Sequence, residues 1–431
     1  MRVLLIAEAA NPEWVSVPLV GWSHAQAIRK ITDAHLVTQI RNAAAIERAG
    51  LVPGKDFTAI DSEKIAKPAH KIASLLRGGK GKGWTTLAAI NALTYPYFEH
   101  LVWKQFGKRI KSGEFDIVHR LTPLSPTTSS SLAKKCRRAG VPYVIGPING
   151  GVPWPREFDS ARRKEKEWLS YVRGLYTVLP GYRSTRKNTA AILIASRDTW
   201  QQMPMKYREK CFYIPENAID PRKFFADPNR PVAKAPIRVV FIGRLVPYKG
   251  ADMLIEAAAP LLRQGLLHLT IIGNGPQQPQ LEQLISQEGI GRSVDLAGWL
   301  DHTAVALRLQ QSDVLAFPSI REFGGGVALE AMAVGVVPIV VNYGGPAELV
   351  TPATGYLLDM GSRAQIISQL TKVLGDIAAH PEQLPAKSAL GIRRATEQFS
   401  WDTKAAQVLT VYQWLTGIAR KPQFLMPTPD P

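Results

Sequence analysis

Short apolar runs rich in Val, Ile and Leu alternate with longer helical patterns along most of the chain, and few folds satisfy that alternation. Strands separated by helices cannot pair as tight hairpins. They lie parallel, with helices covering both faces of the sheet. The expected strands of the first half are residues 3–6, 117–118, 141–145 and 191–195. Those of the second half are 239–242, 267–272, 294–296, 314–317 and 337–341. The polar, proline-containing stretch 220–236 (DPRKFFADPNRPVAKAP) reads as a linker, and 431 residues leave room for a buried core on each side of it. The expectation is two α/β domains, Rossmann-like, over residues 1–215 and 216–400.

No stretch approaches the ~18–20 unbroken apolar residues of a membrane-spanning helix. The opening residues MRVLLIAE meet an acid after a few apolar positions and read as a buried strand rather than a signal peptide. Cys136 and Cys211 are too few for a disulfide framework, and no His/Cys cluster has zinc spacing, so a cytoplasmic protein is expected. The net charge of +18 is placed unevenly: residues 1–215 hold 34 Lys+Arg against 16 Asp+Glu, while residues 216–431 hold 19 of each. That asymmetry assigns an anionic partner to the first half: a membrane surface, an acidic glycan or nucleic acid. No RNA-binding motif accompanies the charge, and its spread over a whole domain argues against nucleic acid. The basic run 77–83 (RGGKGKG) lacks Walker A spacing and has Gly83 where Ser or Thr is required.

The richest segment for chemistry is 317–350, FPSIREFGGGVALEAMAVGVVPIVVNYGGPAELV. Glu322 and Glu330 are separated by seven residues that include Gly324, Gly325 and Gly326. A strand at 314–317 followed by a helix at 327–333 makes these glycines open a helix, where amide groups and the dipole favour phosphate. Glu322 then stands just before the site and Glu330 about a turn inside it. A glycine-rich turn with a capping Glu322 and a solvated Glu330 is the plain alternative. Upstream, FIGRLVPYKG at 241–250 follows the first strand of the second domain. Gly243 lets the chain turn near a ligand, and Arg244 and Lys249 put two cations at a sheet edge of the kind where ligands of parallel sheets bind. A basic surface turn is the alternative here.

Taken together, these motifs resemble the E-x7-E and G-R-L-V-P-x-K-G patterns of the retaining glycosyltransferases of family 4, which have the GT-B fold. The resemblance implies two Rossmann-like domains facing across a cleft, with a C-terminal helix of about 401–431 returning to the first domain. It implies a nucleotide-sugar donor held mainly by the second domain. Arg244, Lys249 and the amides of Gly324–Gly326 would stabilise the departing diphosphate, Glu330 would accept from ribose hydroxyls, and Glu322 would orient the donor sugar. It implies retention at the anomeric carbon by front-face attack; no paired carboxylates of glycosidase type are evident. The chain contains no D-x-D, so the two cations replace a metal, and no cofactor is expected. In the first domain, His119 ends Asp116-Ile117-Val118-His119, and the resemblance implies that it meets a hydroxyl of the transferred sugar; a satisfied strand-end histidine is the alternative. Gly21, in Gly21-Trp22-Ser23-His24, takes the place of the family's first loop near the donor phosphate, with Val20-Gly21 instead of a double glycine. Asn149 and Gly150 in GPINGG would line the acceptor side, a simple tight turn being equally open. IPENAID at 214–220 and IGNGP at 272–276 match family turns around the site.

The acceptor expected is a glycan or lipid-linked glycan, reached by docking the first domain on an anionic membrane face through 77–82, 162–166 (RRKEK) and an aromatic-rich helical pattern with Phe98, Trp103 and Phe106. A soluble transferase acting on a small phosphorylated acceptor is the alternative enzyme. A basic nucleic-acid-binding or scaffold protein is the non-enzyme alternative.

Overall fold

The computed structural model describes residues 1–63, 84–150, 152–158 and 180–424. The basic segments 77–82 and 162–166 lie outside the described residues. Two compact units are present: one comprises Met1–Gly151, Arg162–Glu216 and Trp401–Pro431, the other Val152–Ala161 and Asn217–Ser400.

The first unit is built on strands β1 (Arg2–Ala7), β2 (Asp33–Gln39), β3 (Phe57–Ile60), β4 (Ile117–Thr122), β5 (Tyr143–Ile148), β6 (Ala191–Ile194) and β7 (Cys211–Tyr213). They form one sheet, in the order β3-β2-β1-β4-β5-β6-β7, with every pairing parallel. Strand alternation divides β1 between two cores. Leu4 and Ile6 face Phe98, Val102, Phe106 and Ile110 of the helix Trp84–Lys111. Val3, Leu5 and Ala7 face the other way, toward Ala405, Val408, Val411 and Tyr412 of the helix Trp401–Leu415. The C-terminal helix therefore completes the first unit's core. Phe98 and Phe106 are buried in that unit's core, and Trp103 packs partly buried against it.

The second unit contains β8 (Ile237–Ile242), β9 (Leu267–Ile272), β10 (Val294–Gly298), β11 (Val314–Phe317), β12 (Val337–Val341) and β13 (Tyr356–Leu358). The sheet is again wholly parallel, in the order β10-β9-β8-β11-β12-β13. In each unit the strand order reverses beside the first strand, giving the doubly wound Rossmann arrangement.

Four strands, β2, β3, β7 and β13, were not among those expected. β2 begins Asp-Ala-His, β3 has four residues and β7 and β13 three each, too little for an apolar run to show. The first domain boundary also differs: residues 152–158, expected in the first domain, belong to the second unit. Trp154 and Phe158 are buried in the second unit's core, and burying a large side chain of this kind contributes roughly 1.5–3 kcal/mol.

Candidate active site

β8 and β11 are neighbours across the point where the second sheet reverses order, Val314 and Leu315 standing opposite Val239 and Val240. The two motifs, one leaving β8 and the other leaving β11, therefore emerge side by side at the sheet's C-terminal edge, where doubly wound sheets bind ligands. A short turn, Pro247–Lys249, ends on Gly250, whose φ of 78° suits glycine; a Cβ there would stand 2.6 Å from the Pro318 carbonyl oxygen. Ile320 N–H donates to the Tyr248 carbonyl at 3.0 Å, joining this turn to the chain before Glu322. Lys249 Nζ donates to Glu322 Oε2 in an ion pair whose side chains are only 16% and 18% exposed. The ammonium also lies 5.0 Å from the Phe317 ring centroid. Arg244 is exposed nearby in sequence and makes no ion pair among the described residues.

The glycine run does open a helix. Gly326–Ala333 starts from Gly325 in the left-handed region, φ 62°, with no side-chain cap. Such an uncapped N-terminus leaves amide donors directed outward. A Cβ on Gly325 would lie 2.9 Å from Pro346 Cγ, so the position is closed to other residues on both counts. Gly345 N–H donates to the Glu322 carbonyl at 3.0 Å, which ties the second glycine-containing loop to the first. Glu330 is within this helix, its side chain 19% exposed, with His302 Nε2 3.9 Å from Oε1. Burial holds the Glu330 carboxyl above its ordinary range, and the His302 imidazole opposes that shift. The sequence reading missed His302; a histidine directly after a capping Asp301 gives no sign of what it will face.

A second omission is the segment from Val152. Arg321 Nε donates to the Val152 carbonyl at 3.1 Å, and its guanidinium lies 4.8 Å from the Trp154 ring centroid and 5.0 Å from that of Phe323. Tyr343 O–H donates to the Pro153 carbonyl at 3.0 Å. Residues flanking Glu322 are thus held by a stretch of chain from a distant part of the sequence. The IGNGP turn is architectural: a Cβ on Gly273 would meet the Gly243 carbonyl oxygen at 1.9 Å, and one on Gly275 the Leu245 carbonyl oxygen at 2.1 Å.

The first unit corrects two expectations. β4 does not end before His119 but continues through Arg120 and Leu121 to Thr122, leaving His119 fully buried in mid-strand. Its Nε2 donates to the Gly146 carbonyl at 2.8 Å, and its Nδ1 accepts from Tyr412 O–H at 2.5 Å. Both ring nitrogens are therefore occupied by protein, and burial lowers the imidazole pKa to about 3. His119 has the structural role, not a sugar contact. Gly21 does not lie in a loop but within the helix Val17–Ile31, buried; a Cβ there would stand 2.2 Å from the Ala9 carbonyl oxygen. Its glycine requirement comes from packing against its own chain. His24, one turn on, is buried between His119 and Trp401, with ring centroids 6.3 Å and 5.8 Å away. Burial first, then His119 and Lys404, hold it well below its ordinary range. Asn149 and Gly150 follow β5: Ser196 O–H donates to Asn149 Oδ1 at 3.3 Å, and Gly150 N–H donates to Thr199 Oγ1 at 2.7 Å.

Residues 224–385 match the family model described as glycosyl transferases group 1. A D-inositol 3-phosphate glycosyltransferase of Jonesia denitrificans is 33% identical over 184 residues, 41% of this chain and 42% of the relative, so the match spans less than half of that relative's length. A GDP-mannose-dependent monoacylated alpha-(1-6)-phosphatidylinositol monomannoside mannosyltransferase of Corynebacterium glutamicum is 31% identical over 301 residues, 65% of this chain and 73% of the relative. Among solved structures, Anabaena HepE in complex with UDP superposes with a TM-score of 0.63 at 15% identity, covering 95% of this chain and 98% of HepE. Sucrose-phosphate synthase of Thermosynechococcus elongatus gives 0.64 at 15%, covering 97% and 100%. At that identity the likeness concerns the fold, which is GT-B. On the breadth of the corynebacterial match and the family model together, the chain belongs to the glycosyl transferases group 1 family.

Proposed function

We propose that this protein is a retaining, metal-independent glycosyltransferase that moves a sugar from a nucleotide-sugar donor to a glycan or lipid-linked acceptor. The observation that carries the reading is the Lys249–Glu322 ion pair, formed beside the uncapped helix Gly326–Ala333 with Glu330 inside that helix. One ammonium, one exposed guanidinium at Arg244 and a helix N-terminus supply positive charge where a diphosphate would leave. Charge on that group grows as the glycosidic bond breaks, so preorganised cations stabilise the transition state more than the ground state. Glu322 holds the Lys249 ammonium in place and, once donor phosphate takes over that ammonium, is free to orient the sugar. Glu330 accepts from ribose hydroxyls, and Asn149 and Gly150 are assigned to the acceptor side.

The test is a thermal-shift screen with UDP-, GDP- and ADP-sugars. A ligand at ~100 times its dissociation constant adds roughly 2.7 kcal/mol of stability, and no shift with any of them would remove the donor assignment. Retention is tested by the anomeric configuration of the product in NMR; inversion would refute it. No described helix is long and apolar enough to cross a membrane, so a lipid-linked acceptor would be met at the surface. Sedimentation with anionic vesicles at low salt tests this: reversing Lys80, Lys82, Arg162 and Arg163 should release the protein while preserving donor binding. A wild type that ignores such vesicles favours the small phosphorylated acceptor.

A further inference from the structure

His302 has a position that the reading above leaves without a task. It is the first residue of the helix His302–Gln310, and Asp301 caps that helix by accepting from Thr303 N–H and Ala304 N–H, both at 2.9 Å. The cap fixes where the first helical residue stands. Phe224, buried, meets the imidazole edge to face, with centroids 5.9 Å apart and planes at 82°. A packed ring on one side and a helix cap beneath leave the imidazole little freedom. In that orientation Nε2 stands 3.9 Å from Glu330 Oε1, and the histidine side chain is 40% exposed.

This separation is too long for a hydrogen bond between the two groups. It suits a third atom: an oxygen about 2.8 Å from both Nε2 and Oε1 fits the gap with ordinary hydrogen-bond lengths to each. Such an atom must donate to the carboxylate and accept from the imidazole N–H, as a ligand hydroxyl does. Glu330 Oε2 remains as an acceptor for a second, adjacent hydroxyl.

We propose that His302 and Glu330 form a two-sided clamp for a vicinal diol, the 2′- and 3′-hydroxyls of the donor's ribose. One hydroxyl donates to Glu330 Oε1 and accepts from His302 Nε2–H, and the other donates to Oε2. The inference rests on the reading of Glu330 as the ribose acceptor and extends it to a second residue and to a ligand class: nucleoside diphosphates with both ribose hydroxyls intact. His302 is a specificity residue here, remote from the bond that breaks.

Calorimetric titration tests the clamp with UDP, GDP and ADP, followed by the 2′-deoxy and 3′-deoxy forms of whichever binds. Wild type, His302→Ala and His302→Gln are compared. The wild type should bind the ribonucleotide at least about tenfold more tightly than the deoxy form lacking the bridging hydroxyl, which forfeits both the Glu330 and the His302 bonds. His302→Ala should lose several-fold toward the ribonucleotide and nothing toward that deoxy form, so the discrimination shrinks at the bridging hydroxyl, where the Glu330 bond remains, and is unchanged at the other. His302→Gln, which retains an N–H donor, should recover part of it. A merely structural histidine would weaken both nucleotides equally. If His302→Ala keeps the full ratio at both hydroxyls, the clamp is wrong while the donor reading stands. If wild type binds none of the three diphosphates, the donor reading fails and takes the clamp with it.

Discussion

Replacing His119 by Gln should make folding less sensitive to acid and leave sugar transfer near the wild-type rate. The ring is fully buried, donates to Gly146 and accepts from Tyr412, and its pKa is about 3 instead of the ordinary 6.5. Between those two values the unfolded chain holds a proton that the folded one refuses, so acid favours unfolding. The stabilisation is fully present above the unfolded value and is lost as pH falls toward about 3. Going from about pH 7.5 to about pH 5, His119 alone should cost the wild type about 2 kcal/mol. His24 has a shift of the same sign; burial, its largest cause, is kept in the variant, so all but the part owed to His119 cancels in the difference. The glutamine amide can donate to the Gly146 carbonyl and accept from Tyr412 without titrating, so the variant should show an acid loss smaller by about 2 kcal/mol. Urea unfolding at the two pH values, read by linear extrapolation, measures this directly. Equal acid sensitivity in the two proteins would refute the buried-neutral account. A variant of unchanged stability whose turnover falls about a hundredfold would restore His119 to the sugar.

Arg244→Ala and Lys249→Ala should each lower turnover by about 10²–10³ with smaller effects on donor affinity; rates within about threefold of wild type for both would refute the leaving-group role. Gly325→Ala forces a side chain into a φ of 62° against Pro346, and the left-handed backbone alone costs about 1–2 kcal/mol, so its thermal midpoint should fall by several degrees; an unchanged midpoint would mean the glycine turn is not needed. EDTA should leave transfer intact if, as proposed, Arg244 and Lys249 take the electrostatic role of a metal. Activity abolished by EDTA and restored by Mg²⁺ or Mn²⁺ would overturn that mechanism.

The local pattern was enough to place β9, β11 and β12 at their observed bounds: β11 and β12 are apolar runs buried at every position, and β9 is mostly apolar with only His268 exposed. It was likewise enough for the glycine-opened helix carrying Glu330, because φ demands and helix starts are set by a few adjacent residues. Short or polar-edged strands such as β3 and β13 left no such trace, since their stability comes from the neighbours they pair with. His119 illustrates the limit at a single residue. Whether β4 stopped before it or ran on to Thr122 could not be read from four residues, and its partner Tyr412 lies 293 positions away. Arg244 and Lys249 share a segment with one strand, Glu322 with another, and only the parallel pairing of β8 with β11 brings those segments to one sheet edge. The same holds for the Val152–Trp154 stretch on Arg321 and for His302 beside Glu330. The sequence alone determined which residues carry charge, which backbone positions require glycine and which runs must be buried, because these are properties of a residue and its immediate neighbours. Which of those residues meet was decided by the tertiary structure, because strand order and helix packing are settled by the burial of whole faces.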